Sequence, residues 1–343
     1  MRILKYILLL LLLFSIAFLV FVVTQKGDYK IVRSKEIKIE KDIVFNFVTD
    51  SSSYQDWSPW KSDEANFKNI KITPNDSLTQ NIFISEIKNE SLMQFQKTNN
   101  GVLITWELNG KLNFNLKLLC VLKGGVDYVI GNKLEEGLEN IDTYLVKELK
   151  TYNIKINGLV TKHMTNYIQQ IDTCNAADFQ KVSKAMLQNM LSFVEKNDIE
   201  ILGLPFITYE SVKPNNKEII FAMCVPVEEE ILTTPGSEIS GGHFDEFLAV
   251  KTTLTGDYSH RKEAWNKAKN YARKNKLNED TNGKFIEVYK TSLPKERKPS
   301  KWITELYLPV KKKTFTPKPK TETTQDNLEN TTETNTSTKQ TEK

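Results

Sequence analysis

One arrangement of predicted elements occurs twice in the second half of the sequence, and this repeat constrains the fold more than any other feature. Each copy has a strand, an amphipathic helix and two further strands. The first copy comprises 154–172, 176–197 and two strands within 203–227; the second comprises 246–256, 259–275 and two strands within 283–310. Both copies end in Pro-Val, where a strand must stop because proline cannot donate to an interior ladder. The repeat predicts a duplicated α+β unit over 152–311.

The N-terminal segment is apolar from residue 7 to residue 23 apart from Ser15. About 20 apolar residues span a bilayer as a helix, whereas a cleaved signal has an apolar core of about 7–15 residues. We therefore predict an uncleaved single-pass anchor over 1–25. Basic residues flank both of its sides, so the charge rule for orientation is ambiguous. Long domains translocate largely regardless of charge, and we expect the bulk of the chain outside the cytoplasm.

The C-terminal segment 312–343 consists mainly of Thr, Glu, Lys, Asn and Gln. It cannot bury enough apolar surface to offset the entropy of ordering, so we predict a disordered tail.

The 343-residue chain has a net charge of +4, and its positive and negative residues are interleaved along the sequence. This charge pattern does not indicate a nucleic-acid partner.

A second set of elements lies between the anchor and the repeat. A strand at 29–40 precedes a short helix at 43–48, capped by Asp42, and an aromatic turn at 54–60. Four predicted strands follow, at 66–72, 79–86, 91–97 and 102–112, and Asn99-Asn100-Gly101 forms a hairpin turn between the last two. A long amphipathic helix closes the set, with an apolar stripe made by Leu134, Leu138, Ile141, Leu145 and Leu149.

This order, with the segment Gly101-Val102-Leu103-Ile104-Thr105-Trp106-Glu107, resembles the START-like (SRPBCC, polyketide-cyclase-like) family over residues 28–151. The resemblance implies a helix-grip fold, in which a sheet wraps around a long helix and holds an apolar, lipid-like ligand. Trp57, Trp60 and Trp106 are candidate ligand contacts; the alternative is that they are core residues, because tryptophan buries a large area whatever its function.

Three motifs in the repeat are similar to the AraC-type effector-binding (gyrase-inhibitor-like) domain. They are Pro-Phe-x-x-Tyr at 205–209, Thr-Leu-x-Gly-Asp-Tyr at 253–258 and Trp-x-Thr-Glu-x-Tyr-x-Pro-Val at 302–310. The resemblance implies a groove between the two copies that binds small cationic or aromatic molecules, with a Glu of the last strand inside it. Some members of that family hydrolyse electrophilic ligands with a Glu and a Tyr. A DNA-binding domain often precedes the fold, but here an anchor and another domain take its place.

Strand alternation places Glu305 on one face with Tyr307, and Glu287 on one face with Tyr289. If these strands pair, the two Glu-x-Tyr pairs can neighbour each other. A carboxylate between aromatic rings favours a cationic ligand or has a raised pKa suited to a general base. The first copy has Ile207 and Ala222 at the equivalent positions, which indicates that folding does not require these carboxylates. The alternative is that both are solvated surface residues. Weaker ligand-binding candidates are Tyr209 and Cys224.

No metal or cofactor is predicted. The three Cys are far apart, no two His residues have ligand spacing, and no P-loop, GxSxG or dinucleotide motif occurs. The sequence favours a membrane-anchored small-molecule-binding protein. The alternatives are a cofactor-free hydrolase of a hydrophobic or electrophilic small molecule, with Glu305 and either Tyr307 or Tyr289 as catalytic residues, and a structural module whose pockets are vestigial.

Overall fold

The structure is a computed structural model that describes residues 2–60, 65–175, 178–213, 218–234, 236–291 and 296–312. Within these ranges the chain is α+β, with seven α-helices and two large antiparallel sheets. The tail predicted to be disordered lies outside the described residues beyond Lys312.

The first helix, α1, spans Arg2–Thr24, and it is long and apolar enough to cross a membrane. Its length of about 33 Å matches the hydrocarbon core of a bilayer. Most of its side chains are exposed, but Val22 is fully buried. A helix of this kind near an N-terminus serves as a membrane anchor or as a signal sequence.

The first sheet has five strands in the order β1-β5-β4-β3-β2. They are β1 (Asp28–Ile37), β2 (Ala65–Thr73), β3 (Ser77–Ile84), β4 (Ile87–Lys97) and β5 (Val102–Lys111). The accompanying helices are α2 (Lys41–Thr49), α3 (Tyr54–Trp57), α4 (Phe114–Lys123) and α5 (Asn132–Lys150), with a π-helical turn at Asp127–Gly131. The apolar stripe of α5 packs with the buried face of β5 in one core. The four predicted strands, their hairpin turn and the long helix are confirmed.

Two details of this region differ from the prediction. Asp42 does not cap α2, because the N-cap is Glu40 and Asp42 lies in the first turn, where it pairs with Lys184 at 3.0 Å. The sequence pattern also gave no indication of α4. Seven of its ten residues are apolar, so its polar positions do not mark a helical period.

The second sheet has nine strands, eight of them in the order β10-β7-β9-β8-β13-β14-β11-β6 and the ninth, β12, paired with β14. The strands are β6 (Asn153–Lys162), β7 (Thr165–Asn175), β8 (Phe206–Lys213), β9 (Glu218–Val227), β10 (Ile239–Phe244), β11 (Phe247–Thr255), β12 (Leu277–Glu279), β13 (Ile286–Tyr289) and β14 (Ile303–Lys312). Helices α6 (Phe179–Lys196) and α7 (Arg261–Lys274) cover one face. The order strand–helix–strand–strand occurs twice, as β7-α6-β8-β9 and as β11-α7-β13-β14, where the short strand β12 lies between α7 and β13. The two halves meet where β8 pairs with β13.

The predicted strand 154–172 is wrong, because the structure divides it into β6 and β7. Only His163 and Met164 separate these strands, yet six strand spacings separate them in the sheet. A flat sheet would place them about 29 Å apart, and two residues span far less. The sheet therefore curls until its ends approach. Aromatic residues from both ends pack together on its inner face, which carries Tyr167, Phe206, Phe244 and Phe247.

The two regions share buried contacts. Trp302, which precedes β14, is buried in the core of the five-stranded sheet and stacks on Tyr258 at 4.7 Å between ring centroids. Lys298 donates to Tyr144 of α5 at 2.8 Å, and His260 contacts the carbonyl of Leu149 at 2.9 Å. The described residues 298–302, which precede β14, therefore pack against α5.

Candidate functional site

The strongest candidate site surrounds Glu287, in the short central strand β13. Its neighbours across the strands are Ile207 of β8 and Leu306 of β14. Ile207 packs with α6, so Glu287 points to the face that the helices cover. Its side chain is only 1% exposed. A carboxylate buried to this degree is costly unless charged or hydrogen-bonded partners surround it.

Partners surround the carboxylate on three sides. The indole Nε1 of Trp265 donates to Glu287 Oε1 at 2.7 Å, and the hydroxyl of Tyr289 donates to Oε2 at 2.8 Å. Arg261 Nη1 lies 3.3 Å from Oε2 and donates to the Tyr289 oxygen at 2.8 Å. Arg261 and Trp265 are one helical turn apart on α7, so one face of that helix supplies both.

Aromatic rings enclose the guanidinium of Arg261. Its central carbon lies 4.5 Å from the centroid of Phe179, which is the first residue of α6 and stacks against Tyr209. The ring of Tyr258 packs edge-on against Tyr289 at 5.1 Å. Attraction between a cation and aromatic faces is strongest where water is excluded. We call Glu287, Arg261, Trp265, Tyr289, Tyr209 and Phe179 the Glu287 cage.

The ionisation of the cage favours a fixed positive charge beside Glu287. Burial lowers the pKa of Arg261, but its electrostatic interactions with Tyr289 and Glu287 outweigh this effect, so the pKa lies above its ordinary value. Burial raises the pKa of Tyr209 and of Tyr289, and the neighbouring Glu287 charge raises both further. The tyrosines therefore remain neutral hydrogen-bond donors near neutral pH.

Glu305 and Tyr307 lie on the inner face of the sheet, away from the Glu287 cage. The register pairs Glu305 with Val288, so Glu305 and Glu287 point to opposite faces. The expectation that the two Glu-x-Tyr pairs neighbour each other is wrong. The two glutamates would share a face only if Glu287 lay opposite Glu305 or an even number of residues from it. In the observed register Glu287 lies opposite Leu306, one residue from Glu305.

The surroundings of Glu305 also differ from the prediction. Its Oε1 lies 2.9 Å from Lys251 Nζ, and the Tyr307 hydroxyl donates to its Oε2 at 2.8 Å. Burial raises the pKa of Glu305, but the hydrogen bonds from Lys251 and Tyr307 hold it below its ordinary value. The raised pKa that a general base requires is therefore absent at Glu305.

A cavity of about 320 Å³ opens on this inner face, beside Lys162, His163, Lys251 and Tyr307. Lys162 Nζ lies 5.1 Å from the centroid of the Tyr307 ring, and burial lowers its pKa. Two lysines therefore surround the cavity near Glu305, which disfavours a cationic ligand at this position. Cys224 is fully buried on the same face, next to Ala222, and burial raises its pKa.

The three tryptophans near the first sheet are core residues. Trp57 and Trp106 are fully buried and Trp60 nearly so, and their rings meet edge to face at 5.6 and 6.0 Å. Trp106 Nε1 donates to Ser91 at 2.8 Å. The cavity beside this sheet, of about 340 Å³, is lined by other residues, among them Asp28, Tyr29 and Lys111. A ligand contact for the tryptophans remains a prediction.

The sequence interpretation named Glu287, Tyr289 and Tyr209 as candidate ligand contacts but overlooked Arg261. Arg261 falls on the apolar stripe of α7, at helical spacing with Trp265, Ala268 and Ala272. Arg261 could have been identified from the sequence as a charged residue on a helical stripe that faces the core.

The histidines do not form a metal site. His163 and His243 each contact one glutamate, Glu246 at 2.8 Å and Glu230 at 3.3 Å. Among the described residues, no group of three or more His, Cys, Asp or Glu side chains could hold a metal ion.

Comparisons with solved structures show low sequence identity. The C-terminal domain of EcmrR matches 47% of this chain and 98% of its own, with a TM-score of 0.38 and 15% identity. SAV2435 bound to tetraphenylphosphonium matches 46% of this chain and 94% of its own, with a TM-score of 0.33 and 13% identity. A hydrolase from Listeria innocua matches 46% of this chain and 92% of its own, with a TM-score of 0.33 and 14% identity.

At TM-scores below 0.5 and identities of 13–15%, these similarities do not assign the chain to a family or a function. No protein-family profile matches the sequence, and no curated protein matches it. The pairing of a START-like domain with an AraC-type domain stays a prediction.

Proposed function

We propose that this chain is a membrane-anchored protein that binds a small cationic molecule at the Glu287 cage. The observation that carries the proposal is the place of Arg261 in the cage. Its guanidinium, a planar cation, lies against an aromatic ring and beside a carboxylate that is 1% exposed. These are the contacts that a bound organic cation would make.

Arg261 is the movable partner of this ion pair. It is the first residue of α7, and its side chain is 24% exposed, whereas the Glu287 side chain is almost fully buried. Rotation of the arginine toward water would leave a space bounded by Glu287, Phe179 and Tyr289. A ligand cation that enters this space keeps Glu287 paired, so the exchange avoids the cost of a buried unpaired charge.

The test is a titration of the full chain in detergent with benzyltrimethylammonium, an aromatic quaternary ammonium ion. We expect Arg261→Ala to bind this cation more tightly than the unmodified chain, because no side chain must be displaced. Glu287→Gln should lose about 1–3 kcal/mol of binding free energy, the scale of a charged hydrogen bond. Isothermal calorimetry and the ligand-induced rise in Tm are the measurements.

Lys251→Ala is the matched control, since it removes a cation that pairs with a glutamate on the inner face. Its affinity should equal that of the unmodified chain. If neither the unmodified chain nor Arg261→Ala binds the cation, the Glu287 cage is a structural ion pair. The side chains of this chain already pair with both oxygens of Glu287. This observation favours a second candidate function, a structural module with a closed pocket.

The hydrolase alternative has less support. It assigned the role of base to Glu305, where hydrogen bonds lower the pKa.

We also propose, from the sequence, that α1 is an uncleaved anchor and that the remaining chain lies outside the cytoplasm. Carbonate extraction of membranes, with protease protection of residues beyond 27, tests both points.

The domain division into 28–151 and 152–311 remains a proposal too. Burial of Trp302 in the core of the first region means that a fragment of 28–151 alone leaves that core incomplete. We expect the separate fragments to fold, with the first melting at a lower temperature than the same region of the intact chain. A first fragment with no cooperative melt would show that the domains are interdependent.

A further inference from the structure

The helix α4 is apolar on the side that faces the core and on the side that faces outward. Leu116 and Cys120 point inward, where Cys120 is buried and Leu116 packs against the core of the first sheet. Phe114, Leu119 and Leu122 are exposed, with Leu122 at 66%. Tyr128, in the following π-helical turn, is also exposed. Large apolar side chains exposed together on one element are a feature of interaction sites.

The position of α4 is fixed next to the end of α1. The Gly27 carbonyl accepts a hydrogen bond from Leu112 N at 2.8 Å, so the two connecting segments meet at one corner of the sheet. Asn113 then caps α4. Lys117 of α4 donates to the carbonyls of Val23 at 3.2 Å and Gln25 at 2.6 Å, at the C-terminal end of α1. A lysine on terminal carbonyls complements the helix dipole.

The depth of α4 follows from this contact. Val22 is fully buried and lies two residues, or about 3 Å, before the end of α1. Because α4 contacts α1, it lies beside this last turn. A predominantly apolar helix of 22 residues that spans a bilayer has its last turn at the boundary between hydrocarbon and headgroups. The part of α4 around Lys117, which contacts the end of α1, is therefore at the same depth.

The composition around α4 fits a lipid surface. Lys123 lies in its last turn, and Lys26 is exposed at the same corner of the sheet, where Lys111 pairs with Asp28 at 3.8 Å. Lysines beside a membrane attract anionic headgroups, and an aromatic residue such as Tyr128 is favoured at the interface. Apolar side chains with basic neighbours are typical of helices that lie in the plane of the interface.

We infer that α4 and the π-helical turn lie in the membrane interface, so that Phe114, Leu119, Leu122 and Tyr128 contact lipid. The inference rests on the proposed anchor, because it takes α1 as a membrane span. Its consequence is a second attachment that fixes the tilt of the five-stranded sheet relative to the bilayer. A single helix followed by Gly27 would leave that tilt free.

Site-directed spin labelling of the full chain in lipid nanodiscs tests this inference. The three natural cysteines are buried, so a label reacts with an introduced one. Leu122→Cys and Tyr128→Cys report on the surface. Leu202→Cys, at a leucine that is 58% exposed in the second region, is the matched control, and Leu12→Cys reports on the span. We expect the nickel-chelate accessibility of the labels at 122 and 128 to be several-fold lower than that at 202, with high oxygen accessibility.

The outcomes are distinguishable. If the label at 12 is shielded from the nickel chelate while the labels at 122 and 128 are as accessible as the control, the inference is wrong and the anchor stands. If the label at 12 is itself accessible, the proposed anchor fails. Spectral broadening at 122 that disappears on dilution with unlabelled chain would mean that a second copy covers α4, and this also overturns the inference.

Discussion

The two faces of the nine-stranded sheet each hold a glutamate two residues before a tyrosine, in surroundings that differ in one respect. Glu287, on the helix face, is almost fully buried and pairs with Arg261 between aromatic rings. Glu305, on the inner face, has a side chain that is 16% exposed and pairs with Lys251, which is as exposed as Arg261. The same sequence pattern therefore gives a buried carboxylate on one face and a partly exposed carboxylate on the other. Burial of the glutamate, rather than the sequence pattern, determines how much each ion pair contributes to stability.

The largest difference should appear when the cation of each pair is removed. Arg261→Ala leaves the Glu287 carboxylate buried without its counterion, which typically costs about 3–5 kcal/mol. We expect a loss of that size in the free energy of unfolding, measured by urea denaturation in detergent with tryptophan fluorescence. A loss below about 1 kcal/mol would mean that water reaches Glu287.

Replacing both members of the buried pair should recover most of that loss. Arg261→Met combined with Glu287→Gln removes both charges and keeps acceptor and donor atoms for Trp265 and Tyr289. Buried ion pairs replaced by neutral side chains are often neutral in stability. We expect the double variant to unfold within about 1 kcal/mol of the unmodified chain. A double variant as unstable as Arg261→Ala would assign the loss to packing of the arginine stem.

The corresponding change on the inner face should be small. Lys251→Ala removes a lysine that is 25% exposed, and pairs of this kind contribute about 0–1 kcal/mol. Denaturation under the same conditions measures the change. An equal loss for Lys251→Ala and Arg261→Ala would remove the distinction between the two faces.

The smallest effect concerns pH. The folded-state pKa of Glu305 lies below its ordinary value, so its contribution to stability is present above the unfolded-state pKa. It is lost as the pH falls through the folded-state pKa. Because Lys251 provides the leading contact that lowers this pKa, the stability gap between the unmodified chain and Lys251→Ala should close on acidification. Denaturation curves between pH 7 and pH 3 check this, and a gap that widens toward acid would contradict it.

The sequence predicted the strands and the side-chain alternation, but it could not predict how β13 and β14 align. Alternation correctly placed Glu287 with Tyr289 and Glu305 with Tyr307 on common faces. The relation between the pairs depends on register, and the long connection between these strands leaves register to tertiary packing. Only the structure shows that Glu287 faces the helices.

Two other errors have local causes. The segment Lys162-His163-Met164-Thr165 lacks the residues that usually mark a turn, so β6 and β7 were interpreted as one strand. The helix α4 has too few polar residues to show a helical period. Arg261, by contrast, could have been found from the sequence, because its charge interrupts an apolar stripe.

The strand that precedes each half of the second sheet in the chain pairs with the other half. This arrangement determines the order in which the sheet can be completed during synthesis. The strand β6 precedes the first half in the chain but pairs with β11 of the second, and β10 precedes the second half but pairs with β7 of the first. Chains emerge from the ribosome N-terminus first, at about 5–20 residues per second. The strand β6 must therefore remain without its partner until β11 has been made, so sheet closure is a late step. Such distant pairings are the ones that slow folding.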